Sequence, residues 1–585
     1  MQRTDLTAPS QRPLPMSLIL MAVVVIHLPL LLMKLPLKSY DANFHILFAS
    51  HYVHHWFDPW NPKWYAGFSQ TTYPPLPQQW VALVSWFMGL DLAYMAVQFV
   101  AILLLAIGVY RFSSLWVSPR AASFAALGSV FLGSESFLVY SAGQLGTTSA
   151  APIYLNALPF LYDWLRHGKL RSFLKATVLF AAAAAAHHAT LLFGSFFFAL
   201  PILALVFLDR EDGERVSTPA FVTRTLAMVV VAGAAIALVL LPFWIALIHY
   251  PVTQAPIPHP SRANYILSPF WGLNYFIVPW GALALALPFV FIRGSMVPRL
   301  RPLLLGLWVA FLVGLGGTTP VGHIVLGRAF DVLTMERFAY WATLLALPIV
   351  GALAADLVDR FRLRAVIALT LLAAITCAVA VFWVSYRAGE GAEDFKVDSV
   401  AAWLNRDGHF NYRYVTLGFG NQISRLAAMT DASSVDGEWN SGRMLPELTQ
   451  HGAGALTSSK YFGSAGLEAL RAMLIHADRY GLKWVFVRDH YYDALLTFGG
   501  WRPVDSLEDG TITIWSKDGV PPAAPVNAPQ IPPHWQGLMW GILPFGSSLL
   551  AILVVLIPNK RRVGIDTDET LEADDAHLVQ GRLVS

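Results

Sequence analysis

Asp41 and His45 stand four residues apart in Lys38–Pro77 (KSYDANFHILFASHYVHHWFDPWNPKWYAGFSQTTYPPLP), a run crowded with Asp, His, Trp and Tyr. If Asp41 opens a helix, the two side chains share a face. A carboxylate there can take the proton of an attacking hydroxyl, and an imidazole can orient it or help hold a divalent cation. A plain helix N-cap accounts for the same Asp. His51, His54 and His55 add three imidazoles, without the H-E-x-x-H pattern of a zinc site. Trp56, Trp60, Trp64, Tyr65 and Tyr73 form an aromatic belt. It suits stacking on sugar rings, and equally anchoring at a membrane interface. Further along, Glu336-Arg337 sits at the entrance of an apolar segment, where an ionisable pair is a functional candidate. The planar fork of Arg337 suits a phosphate; an internal Glu–Arg pair fixing a helix end is the plainer alternative. Arg262 is a second phosphate candidate and His187-His188 a third polar cluster. Glu135 and Gln144 bracket another turn and read as solvated.

The elements that position these residues follow from composition. Of 585 residues, 56% are hydrophobic and 13% charged, which excludes an ordinary soluble protein and indicates a polytopic membrane protein. The net charge of +3 comes from scattered small clusters, with no basic stripe for nucleic acid. The single cysteine, Cys377, excludes intrachain disulfides and Cys-cluster metal sites. The first apolar run, Met16–Leu35, is long enough to cross the hydrocarbon core, lacks an A-x-A cleavage signal and reads as a retained span. Later runs bring the expected total to about twelve spans. Arg3 and Arg12 before the first span place the N-terminus in the cytoplasm. Residues 37–75 then form an outer loop, and 76–89 an interfacial or re-entrant helix, too short to span. With that choice nearly every basic cluster, ending with Lys560/Arg561/Arg562, sorts to the inner face. Asp41, His45, Glu135, His187, His188, Arg262, Glu336 and Arg337 sort to the outer one. A single outer active site is the expectation.

The expected fold is mainly α: a membrane helix bundle over 1–388, a soluble extracytoplasmic α/β domain over 389–533, a final span at 534–558 and a cytoplasmic tail over 559–585. In the soluble part, 412–418, 484–488 and 511–515 read as strands and 465–480 as a helix. Asp431, Asp436, Trp439 and Arg443 there form no recognisable site. Pro521–Pro533 is a proline-rich linker, and the acidic tail from Ile565 reads as disordered.

Asp41-Ala42-Asn43-Phe44-His45, Gly67 to Pro75, Gly317-Thr318-Thr319-Pro320 and Glu336-Arg337-Phe338 together resemble the GT-C superfamily of polytopic glycosyltransferases. The resemblance is nearest to the bacterial membrane proteins labelled 6-pyruvoyl-tetrahydropterin synthase-related, with no pterin chemistry visible in the residues. It implies a sugar donor on a polyprenyl phosphate, delivered in a bacterial inner membrane to an extracytoplasmic glycan, lipid or protein acceptor. It further implies Asp41 as general base and Arg337 as phosphate clamp. Trp56, Tyr73, Arg262, His187, His188 and Glu336 complete the expected substrate-binding set. The loop offers Asp41 with His45 in place of an acidic pair, so a divalent cation is left open. A lipid-linked glycan transporter or flippase, and a non-catalytic envelope assembly factor, are the other readings. The transporter would require ionisable groups deep in the spans and an inverted repeat.

Overall fold

The computed structural model describes residues 12–210, 214–250, 259–391, 395–451, 454–526 and 531–557. Arg3, the Lys560/Arg561/Arg562 cluster and the acidic tail lie outside them, as do parts of the proline-rich linker. Among the described residues, seven helices are long and apolar enough to cross a membrane: Leu90–Ser113, Pro119–Ala142, His188–Leu208, Thr218–Val239, Glu336–Phe361, Leu363–Trp383 and His534–Leu556. An eighth results if Pro269–Trp280 and Leu283–Met296, bent by 67°, form one span. The other expected spans are also helical, but shorter or more polar. Helix α1, Met16–Leu32, and the helix Leu170–Ala186 have 17 residues each, and Arg301–Gly314 has 14. The helix Leu145–His167 has 23 residues but carries Thr, Asn and Asp. Length and composition thus give seven or eight spans against the twelve expected.

The loop after α1 folds into helix α2, Ala42–His54, and a short antiparallel hairpin of β1, Trp60–Asn61, with β2, Phe68–Ser69. Helix α3, Leu76–Met88, follows, opened by prolines and closed at Gly89 with φ 78°. Its 13 residues span about 20 Å, short of a hydrocarbon core of roughly 30 Å. Its last turn exposes Trp86, Phe87 and Met88. Helix α4, Leu90–Ser113, begins directly after the turn.

The strand-bearing part forms a four-stranded sheet in the order β3-β4-β6-β5. Strand β3, Arg413–Leu417, runs parallel to β4, Leu482–Val487, with Val415 opposite Val485. Strand β6, Ile512–Ser516, is antiparallel to β4 and to β5, Arg502–Leu507. The three strands expected from sequence are present. The fourth, β5, is polar, exposed and contains Pro503, all of which suit an edge position and hide it from a hydrophobic pattern. The expected helix is present as Gly463–Ile475 with a short continuation at Ala477–Tyr480.

The first loop does not stand apart from this sheet. Phe44, Phe48, Trp64, Tyr65 and Phe68 share one core with Val415, Leu417, Val435 and Val485. The backbone joins as well: Ser434 donates to the Lys63 carbonyl at 2.8 Å, and Ala66 donates back to the Ser434 carbonyl at 3.0 Å. Burying each such aromatic contributes on the order of 2 kcal/mol. Gly67, at φ 119°, closes the turn after Trp64. A Cβ there would lie 2.4 Å from the Trp60 ring, so no other residue fits without displacement.

Candidate active site

Asp41 occupies the N-cap position of α2, yet its side chain makes no capping hydrogen bond. The plain N-cap expectation is therefore not met, and the half-buried carboxylate has no hydrogen-bond partner among the described residues. Its backbone is fixed instead. Tyr40 and Asp41 donate to the Ser141 and Ala142 carbonyls at 2.9 and 3.0 Å, docking the loop on the end of the Pro119–Ala142 helix. Gly143, at φ 75°, makes that approach possible: a Cβ would fall 2.5 Å from Ser39 Oγ and 2.9 Å from the Asp41 nitrogen.

Burial pushes the Asp41 carboxyl up to about 7; the Arg337 guanidinium opposes this and Glu336 adds to it. Arg337 and Glu336 enter from the first turn of Glu336–Phe361. Gln144 holds both. Its Oε1 accepts from Arg337 Nε at 2.6 Å, and its Nε2 donates to Glu336 Oε1 at 2.7 Å. Gln144 is 6% exposed and Glu135 is 1% exposed, so neither is the solvated turn residue expected from sequence. Because Gln144 takes only Nε, the two terminal nitrogens of Arg337 have no hydrogen-bond partner among the described residues. Arg337 and Asp41 form no direct ion pair, so the cation acts on the carboxylate across a gap.

The Glu336–Arg337 turn is braced from behind. Met335 donates to Ser261 Oγ at 2.9 Å, and Gly317 donates to the Arg262 and Ala263 carbonyls, both at 3.1 Å. Arg262 itself donates to the Phe330 carbonyl at 3.1 Å and lies in electrostatic reach of Glu336. It supports the turn from the rear.

Other expected residues divide clearly. His45 is buried. Its Nδ1 lies 2.8 Å from the Gln78 side-chain amide, and its ring also bonds the Gly143 carbonyl. Burial pushes it down to about 3, which keeps the ring neutral. Tyr73 and His187 meet at Gly146, where a Cβ would lie 3.0 Å from Tyr73 Oη and 3.2 Å from His187 Cδ2. His187 also caps the following helix, its Nδ1 accepting from the Thr190 nitrogen at 3.3 Å. Both His187 and His188 lie in electrostatic reach of Arg337, and so does Tyr73. Trp56 lies elsewhere: its Nε1 donates to the Gly541 carbonyl at 3.0 Å, and its ring packs on Phe545. His51 is held by the Asp58 carbonyl at 2.7 Å. Among the described residues no group of three or more His, Cys, Asp or Glu stands close enough to hold a metal ion.

The sheet-bearing part adds a carboxylate that sequence reasoning missed. Glu438 accepts a hydrogen bond from Ser424 Oγ. Burial, together with the nearby Asp41 charge, pushes it up to about 8, against the Ser424 bond. At the N-cap of the helix Gln422–Met429 that carries Ser424, Asn421 Nδ2 donates to the Tyr40 carbonyl at 3.1 Å, beside Asp41. Next to Glu438, the Trp439 ring lies 4.9 Å from Tyr73 and 5.9 Å from Phe44. Arg425 pairs with Asp91 of α4 at 2.9 Å. Asp436 and Arg443 are buried structural groups, Asp436 accepting from the Thr457 nitrogen at 2.8 Å.

No protein-family profile matches the sequence, and no curated protein matches it significantly. Solved structures do match. The chain aligns over 88% of its length with the arabinofuranosyltransferase AftD from mycobacteria, at TM-score 0.51 and 13% identity. It spans 40% of that protein's length. With ArnT from Cupriavidus metallidurans in the apo state it aligns over 84% of its length and 97% of the other chain, at TM-score 0.50 and 12% identity. At such identities the likeness is one of fold alone, shared with these two solved structures.

Proposed function

We propose that this chain is an inverting membrane glycosyltransferase. It moves a sugar from a polyprenyl-phosphate donor to an acceptor hydroxyl on a glycan, lipid or protein, on the extracytoplasmic face of a bacterial cell membrane. The narrower kinship with the proteins labelled 6-pyruvoyl-tetrahydropterin synthase-related belongs to the same proposal. The observation that carries it is the pairing of an unpartnered Asp41 carboxylate with the unfilled donor fork of Arg337 across a gap.

In the proposed step the acceptor oxygen attacks the anomeric carbon, and the bond from that carbon to the phosphate oxygen breaks. The electron pair leaves with the polyprenyl phosphate, and the acceptor proton passes to Asp41. Charge grows on the leaving phosphate as the bond breaks, and in this reading Arg337 meets it. A base opposite the leaving group inverts the anomeric centre. His45, neutral and held on both sides of its ring, positions the turn that carries Asp41. A divalent cation at Asp41 and His45 does not fit these bonds, so the step is written without one.

The test is transfer from a short-chain polyprenyl-phosphate sugar by Asp41→Asn protein that inserts normally. Loss of the base lowers the rate roughly 10²–10⁴-fold; unchanged transfer removes Asp41 from the role. A lipid-linked glycan transporter is the second reading, favoured by Glu135, an ionisable group buried beside Tyr340 within a span. A Glu135→Gln protein that loses glycolipid translocation in vesicles while no sugar is ever transferred would favour it. The assembly-factor reading has no such observation behind it.

A further inference from the structure

A cavity of about 340 Å³ lies beside the far end of the first loop, and neither Asp41 nor Arg337 lines it. Its walls come from Ser69, Thr71 and Thr72 of the loop, the end of the helix Leu241–His249, Ser441, Gly442 and Met444, and Ile531–Pro533 with Trp535 and Gln536 at the start of the last span. Two features distinguish it from a packing defect. Gln536 is only 8% exposed, lines the cavity and has no side-chain hydrogen-bond partner among the described residues. Unbonded to those residues, that amide offers a donor and an acceptor to whatever occupies the cavity. The rim is also apolar and open: Ile531 and Trp535 line the cavity and are exposed.

We infer that this cavity receives the neutral sugar headgroup of a membrane-anchored glycolipid, the acceptor of the reaction proposed above, and the inference rests on that reading. The lining offers hydroxyls at Ser69, Thr71 and Ser441, the Gln536 amide and the rings of His249, Tyr250 and Trp535. It offers no Lys, Arg, Asp or Glu. Hydroxyls and an amide match sugar hydroxyls, aromatic rings match a sugar face, and an anionic headgroup would find no Lys or Arg, only the His249 imidazole. The apolar rim, on two apolar helices, suits the lipid chain. The cavity also adjoins the Asp41 group through one residue step. Thr72 lines it and accepts from Trp439 Nε1 at 2.9 Å, while its neighbour Tyr73 packs on the same Trp439 ring.

The experiment uses the full chain in nanodiscs of phosphatidylethanolamine and phosphatidylglycerol. The probe is octyl glucoside carrying a diazirine at its chain end, and labelled peptides are mapped by mass spectrometry. Label is expected on 245–250 or 531–536, competed by octyl glucoside far better than by octanol, octyl phosphate or free glucose. Gln536→Leu should weaken that competition about tenfold, the effect of one lost buried hydrogen bond, and Ser441→Val should weaken it less. Equal competition by octanol, by octyl phosphate or by free glucose overturns the inference, as does label indifferent to both substitutions. Asp41→Asn protein should label normally. If it also transfers sugar normally, Asp41 loses the role of base and the cavity inference stands. If it loses transfer while Gln536→Leu labels like the parent, the cavity inference fails alone.

Discussion

The two ends of the first loop are built on opposite rules. From Trp56 to Phe68 the side chains are spent on packing: Trp64 has no exposed surface, and Trp56 is tied to Gly541. At Asp41 the backbone is fixed by two hydrogen bonds while the side chain is bonded to none of the described residues. The aromatic belt that resembles a sugar platform is mostly scaffold, and the position that resembles an ordinary helix cap has a carboxylate to spare. A group proposed to act as a base needs rigid support that does not consume it.

Substitutions that separate the two rules sharpen the contrast. The largest effect on transfer beyond Asp41 itself is expected at Arg337. Arg337→Gln should lower the rate roughly 10²–10³-fold. It should also move the acid limb of the pH profile upward from about 7, because the guanidinium holds the Asp41 pKa down against burial. As a base Asp41 works only when ionised, so the variant needs higher pH. A limb that stays in place separates Arg337 from Asp41. Trp64→Ala should cost about 3–5 kcal/mol of stability, seen as a lower melting temperature in detergent. Transfer per folded molecule should stay within a fewfold of the parent; a selective loss of transfer would give the belt a role beyond scaffold. Trp56→Phe should do least, losing about 1 kcal/mol with the hydrogen bond to Gly541 and leaving transfer unchanged.

Much of the site was legible because charge is rare in an apolar chain. Asp41 and Arg337 stand out against their surroundings, and the structure brings them into electrostatic reach. Gln144 did not stand out: a neutral amide beside a glycine looks like a solvated turn, and only tertiary packing makes it the link between Glu336 and Arg337. Glu438 was invisible for the same reason, since nothing local marks a carboxylate whose neighbour lies at the other end of the chain. Arg262 and Trp56 had suitable chemistry, but their donors are used by the Phe330 and Gly541 carbonyls. Helices were recovered wherever apolar runs were long. The span count was less secure, because 17-residue helices such as α1 satisfy hydrophobicity without the length of a full crossing.

The pairing of Lys63 and Ala66 with Ser434, and the packing of Trp64 against Gly437, have a consequence in time. The ribosome makes the first loop early and the partners that complete its core much later. Until those arrive, the loop's aromatic residues have mainly one another to pack on. A chain stopped before residue 430 would keep its early helices and display an unfinished, sticky loop. One of the earliest segments to be made is therefore among the last to set.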